Sequence, residues 1–232
     1  MATQGHTIKA FDEDLDRLRA LISEMGGLAE HGIIEAMRCL TERDLDGAHQ
    51  VIEDDKKIDA LEVETESRVI RLIALRAPMA GDLRDVVAAL KISGVVERIG
   101  DYAKNIAKRV PLLEDAAKIE PLSLLPEMAR IATQMVQDVL NAFVNRDAEG
   151  ALRVCARDKA VDDFYDSIFR TLLTHMMENP HNIGQSAHLL FVAKNLERVG
   201  DHATNIAEMV YYAATGEHME QRAKGGEGLA KP

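Results

Sequence analysis

Residues 97–107 read ERIGDYAKNIA, and residues 197–207 read ERVGDHATNIA. Glu, Arg, Gly, Asp, Ala, Asn, Ile and Ala recur in the same order at an offset of 100 (197 − 97). A second stretch repeats at an offset of 103 (146 − 43). It carries Arg43, Asp44, Gly47, Ala48, Val51, Asp55, Lys56 and Asp59 onto Arg146, Asp147, Gly150, Ala151, Val154, Asp158, Lys159 and Asp162. The same slide sets Met25 on Met128. A chain that spells three separate segments twice must build the same local structure twice. It therefore reads as a tandem of two like units with one intervening loop differing by about three residues.

The periodicity within each unit is helical. Phe11, Leu15, Leu18, Ile22, Met25, Ala29, Gly32, Ala36 and Cys39 alternate steps of four and three, a heptad seam that predicts one helix from about 8 to 42. Gly26 and Gly27 interrupt it at a propensity cost of roughly 1 kcal/mol each, which points to close approach by a neighbouring backbone. Asp44 or Asp46 is placed to cap a second helix over 46–76, and Asp82 lies near the cap of a third that runs to about 110. Pro111, Pro121 and Pro126 punctuate a connector. Helices over 123–146, 148–178 and 183–215 follow, broken at Asn179-Pro180 and stopped at Gly216. With no Trp and 4% aromatic residues, the composition favours helix over sheet. The expected fold is all-α: six long antiparallel helices forming a tandem pair of three-helix bundles, 8–112 and 122–215, with a disordered tail over 216–232.

Charge and cysteine content narrow the function classes. The net charge is −11 and there is no Lys/Arg run, so the basic footprint of a nucleic-acid binder is missing. Cys39 and Cys155 provide no disulfide framework and read as buried reduced thiols. The N-terminal residues lack an apolar leader segment, and no stretch approaches the length of a membrane span, so the expected location is cytoplasmic.

The polar half of the repeated string carries the chemistry. Residues four apart share one face of a helix, so Glu97 and Asp101 point the same way, with Asn105 one turn on. Glu197, Asp201 and Asn205 repeat the arrangement. The second helix has Asp55 and Asp59, continued by Glu62 and Glu66; the fifth has Asp158 and Asp162, then changes to Tyr165 and Phe169. Like charges at this spacing destabilise a helix by a few tenths of a kcal/mol. They call for either a solvated face or a cation. If the second and third helices pack antiparallel, each unit gathers four carboxylates, a set of hard oxygen donors suited to magnesium, calcium, manganese or iron. The plainer reading is a solvated acidic face, with Arg98 and Arg198 pairing locally with Asp101 and Asp201.

Other candidates carry less. His202 follows Asp201 and stands where the first unit has Tyr102, so it is at most a flanking residue. Glu178 and His181 have di-iron spacing, but Pro180 breaks the helix between them. The ten methionines, spaced along helices, read as core. No nucleophile triad, phosphate loop or dinucleotide fingerprint appears.

With the SEMGG string at 23–27, DKKID at 55–59, DKAVD at 158–162 and the doubled ERIGDYAKNIA/ERVGDHATNIA, the chain resembles the PhoU family of bacterial phosphate-transport regulators over about 10–215. The resemblance implies two three-helix bundles side by side, with divalent or trivalent metal (magnesium, manganese, iron or zinc) on surface carboxylate clusters. Carried over position by position, the ligands are Asp55, Asp59, Glu97 and Asp101 in the first unit, and Asp158, Asp162, Glu197 and Asp201 in the second. Asn105, Asn205, His202 and Glu62 stand beside them. Tyr165 and Phe169 in place of Glu62 and Glu66 imply that the two sites are not equivalent. The resemblance further implies a non-catalytic adaptor, commonly a homodimer, that reaches the membrane only through partners. Those partners are the ATPase subunit of a phosphate ABC importer and a phosphate-sensing histidine kinase. The role implied is repression of the phosphate-starvation response and control of uptake when phosphate is plentiful. The competing readings are a carboxylate-bridged metalloenzyme, which needs histidine ligands and a channel, and a metal-independent scaffold.

Overall fold

The computed structural model of the chain describes residues 2–113 and 123–219. Among these residues there are six α-helices: α1 (Ala2–Glu42), α2 (Leu45–Arg76), α3 (Gly81–Ala107), α4 (Leu125–Asn145), α5 (Ala148–Glu178) and α6 (Ile183–Thr215). Short 3-10 turns at Pro111–Leu113 and Pro180–Asn182 precede α4 and α6. Residues 114–122, with Pro121 of the expected connector, lie outside the described residues, as do 220–232 of the expected tail. No helix among the described residues is long and apolar enough to cross a membrane.

The first repeat has a local explanation. Arg43 and Arg146 both take the left-handed backbone that ends a helix, at φ 63° and 53°. The next residue, Asp44 or Asp147, caps the following helix by accepting from the N–H of Gly47 or Gly150 at 2.9 Å in each unit. A Cβ on either glycine would sit 2.5 Å from the capping carboxylate, so glycine is required where the cap folds back. Of the two caps considered for α2, Asp44 is the one used. Asp82 does not cap α3; it lies in the first turn, after Ala80 at the cap position, and favours the helix dipole.

Helices α1, α2 and α3 pack on one another, as do α4, α5 and α6; α1 also packs on α4, and α3 on α6. The heptad seam of α1 is the buried spine, with Leu18, Ile22, Met25, Ala29, Ala36 and Cys39 inaccessible to solvent. One continuous core runs through both sets of helices. The glycine pair in α1 divides its roles. A Cβ at Gly26 would lie 2.0 Å from Leu140 Cδ1 of α4, whereas one at Gly27 would meet nothing within 4 Å. The close neighbour is thus a side chain, not a backbone, and only Gly26 needs to be small. Met79 and Met177, expected in the core, are instead highly exposed beside the α2–α3 and α5–α6 turns, and Cys155 is half-buried rather than buried.

Helices α3 and α6 run antiparallel. At one end the Arg84 guanidinium packs against Gly216, and at the other the Arg109 guanidinium lies 3.9 Å above the Phe191 ring. Between them Tyr102 meets His202, its own counterpart in the second repeat, with a 3.1 Å hydrogen bond between the hydroxyl and Nε2. The two repeats therefore face each other about an approximate two-fold axis near Tyr102 of α3 and His202 of α6. Asp85 of α3 links the units further, with Arg146 at 3.1 Å and Arg19 of α1 at 3.9 Å. Past α6, residues 216–219 fold back: His218 stacks on Tyr212 with ring centroids 4.5 Å apart, and Met219 Sδ lies 3.8 Å from Cys155 Sγ.

Candidate metal centre

The doubled string divides cleanly by face. Ile99, Gly100, Ala103, Ile106 and Ala107 are buried, and so are Val199, Gly200, Ala203, Ile206 and Ala207. The glycine lets the neighbouring helix come close. A Cβ at Gly100 would lie 2.7 Å from Ile58 Cδ1 and 3.2 Å from Asp55 Oδ1, and one at Gly200 would lie 3.3 Å from Val161 Cγ1. Close packing of α2 on α3, and of α5 on α6, then brings the carboxylates of the two helices near one another.

In the first unit Asp55, Asp59 and Glu62 of α2 gather around Glu97 and Asp101 of α3. Burial raises the Glu97 carboxyl, and Asp101, Glu62, Asp59 and Asp55 raise it further. Asp55 is also raised by burial, which outweighs the opposing pull of Lys104. Lys104 supplies the positive charge: its ammonium donates to Asp55 Oδ2 at 2.5 Å and to Asp101 Oδ1 at 3.2 Å, joining α2 to α3. Asp101 thus pairs with Lys104 rather than with Arg98. Asn105 is half-buried one turn beyond Asp101.

In the second unit Glu197 and Asp201 of α6 face Asp162 of α5. Burial raises Glu197, with Asp201 and Asp162 adding to the rise and Lys194 opposing it. Burial also raises Asp162, helped by Asp201 and by Asp166. Asp166 was not singled out in the sequence, although its position one turn past Asp162 was a usable signal; its counterpart in the first unit is Val63 (166 − 103). Asp158 is half-buried one turn before Asp162. Lys194 donates to Glu197 Oε1 at 2.6 Å. Glu197 Oε2 is buried and has no hydrogen-bond partner.

The two clusters differ in a compensated way. Where the first unit pairs Glu62 with Gly94, whose Cβ would lie 3.2 Å from the Glu62 carboxylate, the second pairs Tyr165 with Lys194. The Lys194 ammonium sits 5.2 Å from the Tyr165 ring centroid, and Tyr165 packs on Phe169. His202 and Asn205 turn toward the α3–α6 seam: His202 bonds Tyr102, and Asn205 Nδ2 lies 3.4 Å from His202 Nδ1. Burial, with Arg98 and Arg198 nearby, lowers His202 and keeps its imidazole neutral near pH 7. Arg198 also approaches the Tyr102 ring, at 6.0 Å.

The donor chemistry fits a hard cation, since the clusters offer carboxylate oxygen from two rigid helices and one buried oxygen lacks a partner. As the side chains stand, no three His, Cys, Asp or Glu among the described residues converge as metal ligands. Lysine ammonium groups hold three of the carboxylates instead, Lys104 on Asp55 and Asp101 and Lys194 on Glu197. A groove of about 210 Å³ between α1, α2 and α3 opens beside the first cluster, with Asp55, Ile58, Gly100 and Ala103 in its wall.

Known proteins share this architecture. A Zymomonas mobilis protein named phosphate-specific transport system accessory protein PhoU homolog is 55% identical over 226 residues, covering 97% of this chain and 95% of that one. The crystal structure of PhoU from Pseudomonas aeruginosa matches with a TM-score of 0.85 at 36% identity, over 89% of this chain and all of that one. The phosphate transport system regulatory protein PhoU from Streptococcus pneumoniae matches with a TM-score of 0.84 at 28% identity, over 91% of this chain and all of that one. The Zymomonas and Streptococcus proteins are named as accessory and regulatory proteins of phosphate transport. The PhoU domain model matches residues 22–110 and again 125–210, each time over a helix that carries the repeated string, and the chain belongs to the PhoU family.

Proposed function

We propose that this chain is a cytoplasmic regulatory adaptor of phosphate transport. It links the ATPase subunit of a phosphate ABC importer to a phosphate-sensing histidine kinase, holds the phosphate-starvation response off and restrains uptake when phosphate is plentiful. The observation that carries this reading is the pair of acidic clusters built by a duplicated helix string, in a chain 55% identical to a named accessory protein of phosphate-specific transport. Long helices with few concavities suit an adaptor, because they offer broad faces for docking. The working unit is a homodimer, and contact with the membrane runs through the partners.

In the same reading the clusters hold metal. Asp55, Asp59, Glu62, Glu97 and Asp101 would hold it in the first unit, and Asp158, Asp162, Glu197 and Asp201 in the second. A hard cation there would neutralise the like charges and tie α2 to α3 or α5 to α6, stiffening the docking face. Magnesium, manganese and iron suit these donors; zinc is a poorer match to an all-oxygen set.

Two experiments test the reading. Affinity capture from phosphate-replete cells is expected to recover an importer ATPase or a sensor kinase, and recovery of neither removes the adaptor role. Elemental analysis and calorimetry on Glu97→Ala/Asp101→Ala and on Glu197→Ala/Asp201→Ala are each expected to show loss of one site. Metal content equal to wild type in both variants removes the ligand assignment.

A further inference from the structure

We propose that the side of α5 bordering α6 docks a basic amphipathic helix of a partner protein, along an apolar row that starts beside Asp162 and ends at the α5–α6 turn. The proposal rests on the adaptor reading above for the existence of a protein partner, and it is independent of the metal reading.

The first support is the row itself. Tyr165, Phe169, Leu173 and Met177 step by four along α5. Each lies one turn beyond the last, so the row spans about 18 Å, the length of a partner helix of about 12 residues. Phe169 is 36% exposed, Leu173 40% and Met177 85%, and Ile183 of α6, across the turn, is 50% exposed. Single exposed apolar residues are ordinary on a surface, whereas a contiguous set marks an interaction site. Tyr165 and Phe169 form an aromatic pair within it, with ring centroids 6.3 Å apart. The Lys194 ammonium, 5.2 Å from the Tyr165 ring centroid, ties the row to α6.

The second support is the contrast between repeats. The positions matching Tyr165 and Phe169 are Glu62 and Glu66 (165 − 103 and 169 − 103). Helices α2 and α3 form the same frame with carboxylates there, so folding does not call for aromatic rings at these positions. The hairpin tips are apolar in both units: Ile70, matching Leu173, is 59% exposed, and Leu83, matching Ile183, is 38% exposed. The second unit alone carries the apolar surface on from the tip to the acidic cluster. Aromatic side chains on a rigid helix are the common anchors of an interface.

Charge selects the partner. Burial raises the Asp162 carboxyl, and Asp201, Asp166 and Asp163 raise it further against the pull of Lys194. The row therefore begins in a field of carboxylates, on a chain of net charge −11. A second copy of this chain would bring like charge onto that field, and nucleic acid or anionic lipid would be repelled by it. A helix with one apolar face flanked by lysine or arginine matches both the row and its surroundings.

The test uses the full chain in chelator and a fluorescein-labelled helical peptide of leucine and lysine, about 14 residues long with its leucines on one face, followed by fluorescence anisotropy. Wild type is expected to bind this peptide, and to bind neither a scrambled peptide of the same composition nor a leucine–glutamate peptide of the same pattern. Phe169→Glu, which installs the first unit's residue, is expected to weaken binding by about tenfold or more. The sign is decisive, because a peptide held by charge alone would bind tighter to a chain with one more carboxylate. Leu173→Gln/Met177→Gln changes two exposed positions, is expected to weaken binding as well, and guards against misfolding of Phe169→Glu. Asp163→Asn/Asp166→Asn is expected to weaken binding and flatten its salt dependence. Binding unchanged or tightened in both Phe169→Glu and Leu173→Gln/Met177→Gln overturns the proposal, as does equal binding of the scrambled peptide. A wild-type dimer that dissociates in Phe169→Glu, read by analytical ultracentrifugation, makes the row a contact between copies and also overturns it. Either failure leaves the adaptor reading standing, since affinity capture reads an importer ATPase or a sensor kinase and not this peptide.

Discussion

Adjacent glycines in α1 are expected to respond with opposite sign to the same substitution. Gly27 is exposed in mid-helix, and a Cβ there meets nothing within 4 Å. Gly27→Ala therefore collects the full propensity gain, about 1 kcal/mol. For a chain of this size that raises the melting midpoint by about 2–4 °C. Gly26→Ala has the same gain available but drives a Cβ to 2.0 Å from Leu140 Cδ1. Leu140 is 6% exposed and packed in the shared core, so its methyl has no open space to enter. Overpacking of this kind costs about 1–3 kcal/mol, which cancels or exceeds the propensity gain. The two variants should thus differ by about 1–3 kcal/mol, read by urea melts followed by circular dichroism. The second arm is a cycle with Leu140→Ala. Gly26→Ala should be better tolerated in that background, since the methyl it strikes has gone. A Gly26→Ala midpoint raised as far as that of Gly27→Ala refutes the reasoning, because α4 would then not rest on α1 at this point.

Two further outcomes follow from the electrostatics. Asp55, Glu97, Asp162 and Glu197 hold protons more tightly in the folded chain than in the unfolded one. Their contribution is full below the ordinary carboxylate value of about 4 and is lost as pH rises through the raised native values toward neutrality. In chelator, Glu197→Gln should shrink that loss, seen as a smaller difference between urea melts at about pH 5 and about pH 7.5 than in wild type. An unchanged difference argues that Glu197 is hydrated. The caps act in the other direction: Asp44 and Asp147 are lowered, first by the N–H of Gly47 and of Gly150, so their support fades as pH falls through the lowered values. Asp44→Ala and Asp147→Ala should each lower the midpoint, and Asn at either position should restore most of the loss. Unequal effects of the two alanine changes would show that the repeated cap does not do the same work in both units.

Much of this protein was legible one residue at a time. Helix ends such as Asp44, Asn179-Pro180 and Gly216 are local, because capping, proline and left-handed backbone depend on neighbours within a turn. The heptad seam of α1 and the two acidic lines were legible for the same reason: a helix has one period, and the period sorts its faces. The repeat then showed which polar residues belong together. The sequence could not show what lies across a helix from a given residue. That Leu140 presses on Gly26, that Tyr102 meets its own repeat counterpart His202, and that Lys104 rather than Arg98 neutralises Asp101 all depend on helices brought together from far along the chain. The seam also gave His202 a partner, Tyr102, that no local spacing predicts. Helix identity and facing were set by local spacing, which the sequence carries. The choice of cation in each cluster was set by packing of α2 on α3 and of α5 on α6, because charge pairing depends on distance through space and not along the chain.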